Sequence, residues 1–378
     1  MKVAIVHDWL NGMRGGEKCV EVFCELFPEA TLFTLMYNKG SVSPTIEKME
    51  IKTSFLQKIP GISRNYQNYL PFFPAAIQSF DLTGYDLVLS SSHCVAKGVK
   101  TGKDTLHICY CYTPMRYAWK FFEEYFGKEN SVKKWVISKI IEQLKKWDLE
   151  SNAGVDYFVA ISNAIQKRIE DFYGRSADII YPPVDVDSHR ADKGKEDFYL
   201  IVSALVPYKR IDLAIDAFNA NGKKLIIIGV GNELERLKRQ AKGNIRFLGW
   251  REEEEIVEHY SKCKALIFPG EEDFGIVPVE AQAHGKPVIA FSKGGILETV
   301  IPYHKELTDS ENRTATGIFF TDQTKESLNK AISLFEEKEN IFDKTNIRNN
   351  AMKFTRSRFK KEINEYVKDK IKEKIWKK

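Results

Sequence analysis

The chain has 378 residues, of which 43% are hydrophobic, and it carries a formal net charge of +5 at pH 7. This length is more than one ordinary hydrophobic core serves, and it predicts two domains. Because the sequence has no signal-like N-terminal segment and no apolar run of about 18 residues, we expect a protein that is neither secreted nor membrane-spanning.

The six cysteines form no C-x-x-C pair, and most of them lie in apolar runs. This pattern favours reduced core thiols over disulfides or zinc ligands. It therefore predicts a cytoplasmic protein.

Strand-like apolar runs alternate with longer polar or helical segments along the whole chain. In the first half, the predicted strands are residues 3–6, 31–36, 86–90, 106–110 and 157–161. In the second half they are residues 199–204, 224–228, 245–248, 265–268, 287–291 and 317–320. Such alternation predicts the α/β class, with parallel sheets covered by helices on both faces.

A linker is predicted at Tyr181-Pro182-Pro183, where two prolines precede polar residues. We therefore expect an N-terminal domain over residues 1–185, a C-terminal ligand-binding domain over 186–352 and a basic C-terminal helix over 353–378 that packs back on the N-terminal domain. Two doubly wound domains that face one another would place the carboxyl ends of both sheets at a cleft, where ligands bind in such folds.

Residues 51–80 and 119–147 depart from the regular alternation, because basic side chains are interleaved there with aromatic and aliphatic ones. Packing inside the N-terminal domain is the commoner explanation. A docking face for a lipid-linked acceptor at a membrane surface is the alternative.

The last 28 residues hold eleven Lys or Arg residues against four Asp or Glu residues, and their apolar residues recur at helical spacing. This predicts an amphipathic helix. It either packs on the body of the protein or attracts an anionic membrane surface, and the two interpretations have equal weight. The basic charge is confined to this tail and no nucleic-acid-binding motif is found, so we expect no nucleic-acid partner.

Two carboxylates, Glu272 and Glu280, flank an apolar insert. The apolar run before them predicts a buried strand, Gly275 allows a turn, and Pro278 suits the first turn of a helix. Glu272 is then expected in a loop and Glu280 in the first helical turn. Carboxylates accept hydrogen bonds from sugar hydroxyls and backbone N–H groups at a helix start face an anion, so this arrangement suits a hydroxyl-rich ligand that carries phosphate. A surface acidic loop is the alternative, which the apolar insert disfavours.

Lys209 and Arg210 follow the strand that is predicted to end at residue 204, and they directly precede a helical pattern. Two cations at a helix N-terminus suit a diphosphate, because they offset its negative charge.

Glycines follow two predicted strands. Gly15 and Gly16 come after the first strand, where their backbone N–H groups can approach a donor phosphate, but the G-x-G-x-x-G spacing of dinucleotide sites is not met. Gly229 is expected near a nucleoside. Trp250 is expected either to contact the base or to pack in the core.

Histidines offer polar contacts near the ligand. His93 follows three serines at a predicted strand end and is the preferred histidine for a polar contact with the bound ligand. His107 lies inside an apolar strand and is expected to be a hydrogen-bonded core residue. His7 and Asp8 are expected to face the cleft. Since Glu272-Asp273 is not a D-x-D motif, no divalent metal is predicted.

Further motifs fall in a family-like order along nearly the whole chain: His7-Asp8-Trp9-Leu10, Arg14-Gly15-Gly16-Glu17-Lys18, Ser90-Ser91-Ser92-His93, Thr113-Pro114-Met115-Arg116, Val206-Pro207-Tyr208-Lys209-Arg210 and Gly294-Gly295. Together with the paired glutamates, they resemble the retaining, nucleotide-sugar-dependent glycosyltransferases of the GT-B fold. Within this large family four, the chain is most similar to bacterial mannosyltransferases of O-antigen and capsule assembly.

The resemblance implies two Rossmann-like domains and transfer of mannose from GDP-mannose to a lipid-linked or oligosaccharide acceptor. It also implies that Glu280 holds the ribose and Glu272 a sugar hydroxyl, while Phe274, Gly275 and Ile276 present backbone donors. Lys209 and Arg210 match the phosphate-binding segment. Retention in this family is ascribed to same-face attack assisted by the leaving phosphate, without a protein nucleophile.

The sequence departs from the family pattern at Tyr112, where a His is frequent, and at Ala204, near a frequent Arg. These departures keep open the alternative of an inactive sugar-nucleotide-binding subunit, which the presence of both Glu272 and Glu280 disfavours. Two alternatives among enzymes also stay open, a UDP-sugar donor and a nucleotide-sugar epimerase of the same fold.

Overall fold

The parallel strands of this computed structural model form two separate sheets. The structure describes residues 1–119, 131–186, 194 and 196–376. Contacts divide the chain into a first unit of residues 1–183 and 356–378 and a second unit of residues 184–355.

The first unit has a sheet with the strand order β3-β2-β1-β4-β5-β6-β7, and every adjacent pair in it is parallel. Its strands are β1 (Val3–His7), β2 (Thr31–Thr34), β3 (Glu50–Thr53), β4 (Leu87–Ser92), β5 (Leu106–Cys111), β6 (Tyr157–Ala160) and β7 (Ala177–Ile179). Its described helices are α1 (Gly15–Leu26), α2 (Pro44–Glu47), α3 (Ile62–Asn65), α4 (Phe73–Gln78), α5 (Arg116–Trp119), α6 (Ser131–Glu150), α7 (Asn163–Tyr173) and, at the end of the chain, α15 (Arg356–Trp376).

The second unit has a parallel sheet with the strand order β10-β9-β8-β11-β12-β13. Its strands are β8 (Tyr199–Val202), β9 (Leu225–Ile228), β10 (Ile245–Gly249), β11 (Leu266–Phe268), β12 (Val288–Phe291) and β13 (Gly317–Phe320). Its helices are α8 (Ile211–Asn221), α9 (Leu234–Gln240), α10 (Glu253–Lys262), α11 (Ile276–Ala283), α12 (Ile296–Thr299), α13 (Lys325–Glu337) and α14 (Lys344–Ala351).

Both sheets are doubly wound, as predicted. The strand order reverses between β1 and β4 in the first sheet and between β8 and β11 in the second. Loops that leave adjacent strands in opposite directions at such a switch point open a crevice at the carboxyl ends of the strands. These two places are therefore where ligand-binding side chains are expected.

The central strands are continuous buried runs, because a parallel sheet covered on both faces exposes neither face to water. Every residue of β1, β4 and β5 is buried. The prediction omits β3 and β7, which are edge strands with partly exposed residues and no continuous apolar run.

The chain crosses between the two units twice, at 183/184 and 355/356, a few residues from the predicted boundaries. The two crossings are adjacent in space, because Val184 forms a bridge with Thr355 and its backbone N–H donates to the Phe354 carbonyl at 2.9 Å. The predicted linker continues into residues 187–193 and 195, which lie outside the described residues.

The last helix, α15, packs on the first unit through its apolar face. Phe359 is buried and stacks on Phe23 of α1, with ring centroids 6.0 Å apart. The Arg356 guanidinium lies 2.9 Å from Glu21 and 2.7 Å from Glu25. Ion pairs thus neutralise part of the tail's positive charge.

Residues 51–80 pack into the core of the first unit through buried side chains such as Leu56, Ile62 and Phe73. Phe55 and Phe72 remain exposed. Of residues 119–147, positions 120–130 lie outside the described residues, and Ile141 and Leu144 of α6 join the same core. All six cysteines are buried thiols. In the described part of the chain, no helix is both long and apolar enough to span a membrane.

Candidate functional site

Lys209 and Glu272 form an ion pair at the switch point of the second sheet. Lys209 ends a short 3-10 helix after β8, and Glu272 lies in the loop after β11. Both side chains are mostly buried, with 18% and 14% of their surface exposed. A cation and a carboxylate are thus held together where a doubly wound sheet binds its ligand.

Gly270 permits this approach. A Cβ atom at this position would lie 2.9 Å from the Lys209 Cα and 3.0 Å from the Tyr208 carbonyl oxygen. A small pocket lies beside it at the carboxyl ends of β8 and β11, and Ser203 and Lys209 are among its lining residues. The pocket therefore opens next to the Lys209 side chain.

Arg210 has a left-handed backbone with φ of 53°, and no other non-glycine residue in the described ranges has a positive φ. It caps the N-terminus of α8, and its guanidinium lies 3.2 Å from the Gln323 side-chain oxygen and 3.4 Å from Asp212. Such a conformation costs about 1–3 kcal/mol for a non-glycine residue and recurs at functional sites. The cation is therefore held at the helix start by an unusual backbone.

The loop that carries Glu272 is held against a pair of glycines. Glu272 forms a bridge with Gly294, and the Gly295 N–H donates to the Glu272 carbonyl at 2.8 Å. A Cβ atom on Gly295 would overlap the backbone of Asp273 and Phe274. The Gly294-Gly295 motif is thus explained by backbone packing behind the loop.

Helix α11 begins at Ile276, with Gly275 as its N-cap at φ of 96°. The first backbone N–H groups of this helix have no intrahelical partner and so can face an anion. Pro278 is the third helical residue and lies in the first turn, as predicted, whereas Glu280 is the fifth and lies one position past the first turn in which it was expected. Gly275 adopts the left-handed conformation that ends the loop and sets this helix start.

Glu280 accepts a hydrogen bond from the buried hydroxyl of Tyr260 at 3.1 Å. Phe274 is buried and packs edge-to-face on Phe354, with centroids 5.4 Å apart. The segment between the two glutamates is therefore fixed by the core, while Glu272 and Glu280 keep partial exposure.

Gly229 and Trp250 lie together at the ends of β9 and β10, since the Gly229 N–H donates to the Gly249 carbonyl at 2.8 Å. Gly229 has φ of 139° and contacts the Ser203 backbone so closely that a Cβ atom would overlap it. Trp250 is 62% exposed, which excludes its alternative role in the core. Its contact with a base stays a prediction.

Asp8 and His93 meet at the switch point of the first sheet. The Asp8 carboxylate accepts hydrogen bonds from four consecutive backbone N–H groups, those of residues 93–96, at 2.6–3.0 Å. It also lies 2.9 Å from His93 Nδ1. Burial alone would raise the pKa of Asp8, but His93, His7 and these backbone donors hold it well below its usual range.

The expectation that His7 and Asp8 face a cleft is wrong, because both are fully buried. The Asp8 side chain points inward and accepts hydrogen bonds from the backbone N–H groups of the loop after β4. His93, with 31% of its side chain exposed, is therefore the accessible member of the pair. His107 is a hydrogen-bonded core residue, as predicted, with contacts of 2.8 Å to Ser90 and to the Gly154 carbonyl. Burial lowers the pKa of His107 to about 4.

A polar network lies beneath the first turn of α1. Gly15 and Gly16 are the first two residues of this helix and do not form a loop ahead of it. The Tyr112 hydroxyl donates to the Gly16 carbonyl at 2.9 Å and lies 2.8 Å from the Ser91 hydroxyl, which in turn lies 3.0 Å from His7 Nδ1. Tyr112 therefore holds the first turn of α1 at Gly16. Ser91 belongs to the Ser90-Ser91-Ser92-His93 motif, but its contact with Tyr112 could not be read from the sequence, and the role of Tyr260 has no sequence signal because that residue sits in an ordinary core pattern.

The buried Glu17 carboxylate lies 3.9 Å from His7 Nε2. Burial alone would lower the pKa of His7, but Glu17 and Asp8 raise it above its ordinary value. The His7–Glu17 pair thus adds charge to the network beneath Gly16.

Comparison with known proteins agrees with this architecture. Residues 186–354 match the family model described as glycosyl transferases group 1. An uncharacterized glycosyltransferase of Methanocaldococcus jannaschii is 31% identical over 162 residues, which are 42% of this chain and 46% of that protein. A GDP-mannose-dependent alpha-(1-6)-phosphatidylinositol monomannoside mannosyltransferase of Mycobacterium tuberculosis is 29% identical over 179 residues, 39% of this chain and 46% of that protein. The chain thus spans a little under half the length of these relatives.

Two solved structures cover nearly the whole chain. The Anabaena protein HepE in complex with UDP matches with a TM-score of 0.68 and 16% identity, over 98% of this chain and 100% of that chain. The lipopolysaccharide outer core galactosyltransferase WaaB in its apo form matches with a TM-score of 0.67 and 18% identity, over the same shares. The chain has the GT-B fold, and the match to the glycosyl transferases group 1 model covers nearly all of its second unit. The predicted fold and the family resemblance are confirmed.

Proposed function

We propose that the chain is a retaining glycosyltransferase that moves mannose from GDP-mannose to a lipid-linked or oligosaccharide acceptor in surface polysaccharide synthesis. The observation that carries this proposal is the Lys209–Glu272 pair at the switch point of the second sheet. The cation stabilises a leaving diphosphate, while the carboxylate accepts a hydrogen bond from the transferred sugar. When a nucleotide sugar enters, its phosphate and hydroxyl take over the contacts that the two side chains make with each other.

The remaining predicted residues support the same role. Arg210 provides a second positive charge at the start of α8. The backbone N–H groups in the first turn of α11, which begins at Ile276, provide hydrogen-bond donors for an anion. Glu280 holds the ribose. Gly229 and Trp250 contact the nucleoside, and Gly15, Gly16 and His93 of the first unit serve the acceptor side and the donor phosphate.

Names of relatives favour mannose over other sugars, since the Mycobacterium tuberculosis protein and ALG2 of Kluyveromyces lactis, 26% identical over 220 residues, are both named as mannosyltransferases. A UDP-sugar is the competing donor, because the solved Anabaena protein holds UDP. Thermal shift with GDP-mannose, UDP-glucose, UDP-galactose and UDP-N-acetylglucosamine tests the choice. Stabilisation by a UDP-sugar alone would overturn the GDP-mannose assignment.

The reaction class is tested by product release. A transferase releases free nucleoside diphosphate when an acceptor is added, whereas an epimerase converts the nucleotide sugar without acceptor. An inactive subunit binds the nucleotide sugar and releases nothing under either condition. We propose that no divalent metal is needed, because Lys209 and Arg210 supply the positive charge, and turnover should persist in EDTA.

We also propose that the enzyme works at the inner face of a membrane. Lys361, Lys368 and Lys372 are exposed along one side of α15, and the helix ends at Trp376, which is 89% exposed. Cations near an anionic surface contribute about 1 kcal/mol each. Other tail cations are committed to the first unit: Lys374, for example, donates to the Thr105 carbonyl and lies 3.2 Å from Asp156.

A further inference from the structure

The hydroxyl of Tyr260 reaches Glu280 from inside the core of the second unit. Tyr260 lies on α10 and is 2% exposed, and its Oη lies 3.1 Å from Glu280 Oε2 on the neighbouring helix α11. The residue packs in a core cluster with Leu266 and Ala281. Glu280, one of the two glutamates of the site, is therefore hydrogen-bonded by a tyrosine that is itself buried in the core.

The ring of Tyr260 lies along one face of α11. It stacks on the His284 ring, with centroids 5.7 Å apart and an interplanar angle of 12°. His284 follows Glu280 by four residues and caps the C-terminus of α11. This stacking fixes the ring and directs its hydroxyl to the carboxylate.

The Tyr260 hydroxyl is the donor in this hydrogen bond because an ionised carboxylate only accepts, and burial raises the pKa of Tyr260 well above its ordinary value. The hydroxyl therefore stays protonated and donates to Glu280 over the whole neutral range. A carboxylate has about four acceptor positions, and the Tyr260 hydroxyl occupies one of those of Glu280.

We propose that Tyr260 is a positioning residue, which holds the Glu280 carboxylate in the orientation that accepts hydrogen bonds from the ribose of a nucleoside diphosphate. A glutamate side chain has three rotatable bonds, and a partner locked by packing removes most of that freedom before the ligand arrives. This inference rests on the proposed function, because it assumes that Glu280 binds the nucleotide.

The same unit offers a matched control. Tyr199 is also buried, and its hydroxyl donates to Glu336 at 2.9 Å. Glu336 contacts Lys223 and Lys264 and belongs to none of the loops at the switch point. Tyr199→Phe therefore removes an equivalent buried tyrosine–glutamate hydrogen bond away from the site.

The experiment is isothermal calorimetry of the full chain with GDP and with UDP, on wild type, Tyr260→Phe and Tyr199→Phe. Tyr260→Phe removes one oxygen atom and keeps the stacked ring, and thermal unfolding without nucleotide checks the fold of each variant. We expect Tyr260→Phe to bind the preferred nucleotide about tenfold more weakly, the low end for a hydrogen bond to a charged group. Tyr199→Phe should bind as wild type does.

A double-mutant cycle separates positioning from a general structural effect. In a Glu280→Gln background, Tyr260→Phe should cause no further loss of affinity, because the group that it positions has already been altered. In turnover, the KM for the nucleotide sugar should rise about tenfold, with kcat and the KM for the acceptor unchanged, as expected for binding that is equal in ground and transition states.

Unchanged affinity in Tyr260→Phe, or an equal loss in wild-type and Glu280→Gln backgrounds, would overturn this inference and leave the proposed function standing. A wild-type protein that binds neither GDP nor UDP would overturn both.

Discussion

At the switch point of the first sheet, His93 Nδ1 lies 2.9 Å from the Asp8 carboxylate. At the switch point of the second sheet, Lys209 and Glu272 form the corresponding ion pair. In each unit a charged side chain from the loop after the first central strand meets a partner from the loop after the strand beside it. The first pair is anchored in the core by Asp8, whereas both members of the second pair are partly exposed. The two pairs therefore differ in what they predict for mutation.

Asp8→Asn should lower the stability of the first unit by about 3–5 kcal/mol, because it removes a buried charge from a network of backbone donors and His93. The folded-state pKa of Asp8 lies below its ordinary value of about 3.9. Its contribution to stability is therefore present above about pH 4 and is lost as the pH falls further. Denaturant titrations at pH 7 and pH 3 should show a steeper acid loss in wild type than in Asp8→Asn. The control is Asp309→Asn, at an exposed position. An equal loss of unfolding free energy between pH 7 and pH 3 in wild type and Asp8→Asn would contradict the prediction.

Lys209→Met should reduce kcat about a hundredfold while changing the folding transition little, since removing one group that stabilises developing charge has effects of this size. Lys293 is a suitable control, because it is 62% exposed and lies 3.4 Å from Glu271 in the same loop. Steady-state rates of Lys209→Met and Lys293→Met should therefore differ widely. Similar rates would mean that Lys209 is an ordinary surface charge.

Glu280→Ala should weaken binding of the nucleotide-sugar donor by about 1.5–3 kcal/mol, the range for hydrogen bonds to a charged group, and leave the fold intact. Calorimetry measures the affinity, and the exposed Glu254→Ala on α10 serves as the control. An affinity equal to that of the control would remove Glu280 from the site.

Gly295→Ala should destabilise the second unit and weaken donor binding, because a Cβ atom there overlaps the backbone behind Glu272 and displaces the loop. Gly243→Ala is matched to it, since a Cβ atom at Gly243 meets nothing within 4 Å. Thermal unfolding should separate the two variants by several degrees. A Gly295→Ala protein as stable as Gly243→Ala would show that the loop accommodates the added atom.

The triple change of Lys361, Lys368 and Lys372 to Glu should reduce binding to anionic vesicles, and the difference from wild type should shrink with rising salt, because exposed charges are screened over about 8 Å at physiological ionic strength. A control triple change on the second unit, at Lys293, Lys325 and Lys330, alters the net charge equally. Vesicle sedimentation measures binding. An equal loss of vesicle binding in both triple variants would mean that only the net charge matters. Unchanged vesicle binding in the tail variant would mean that α15 serves only to pack on the first unit.

Much of the fold can be predicted because the central strands are continuous apolar runs, and the carboxyl ends of parallel strands lie at one edge of the sheet. The same logic places Lys209 and Glu272 near one another. It fails for Asp8, because sequence cannot tell whether a carboxylate at a strand end turns to the ligand or to the backbone of the next loop. It fails also for Tyr260, whose hydrogen bond to Glu280 depends on how α10 packs against α11 and leaves no local pattern.

The side-by-side crossings at Val184 and Thr355 make the second unit an insertion within the first. During synthesis the inserted unit is complete before the ribosome reaches α15, whereas the first unit must wait for its final helix to cover Phe23 and Tyr110. A nonsense mutation within the second unit would therefore also leave the first unit without the helix that covers part of its core.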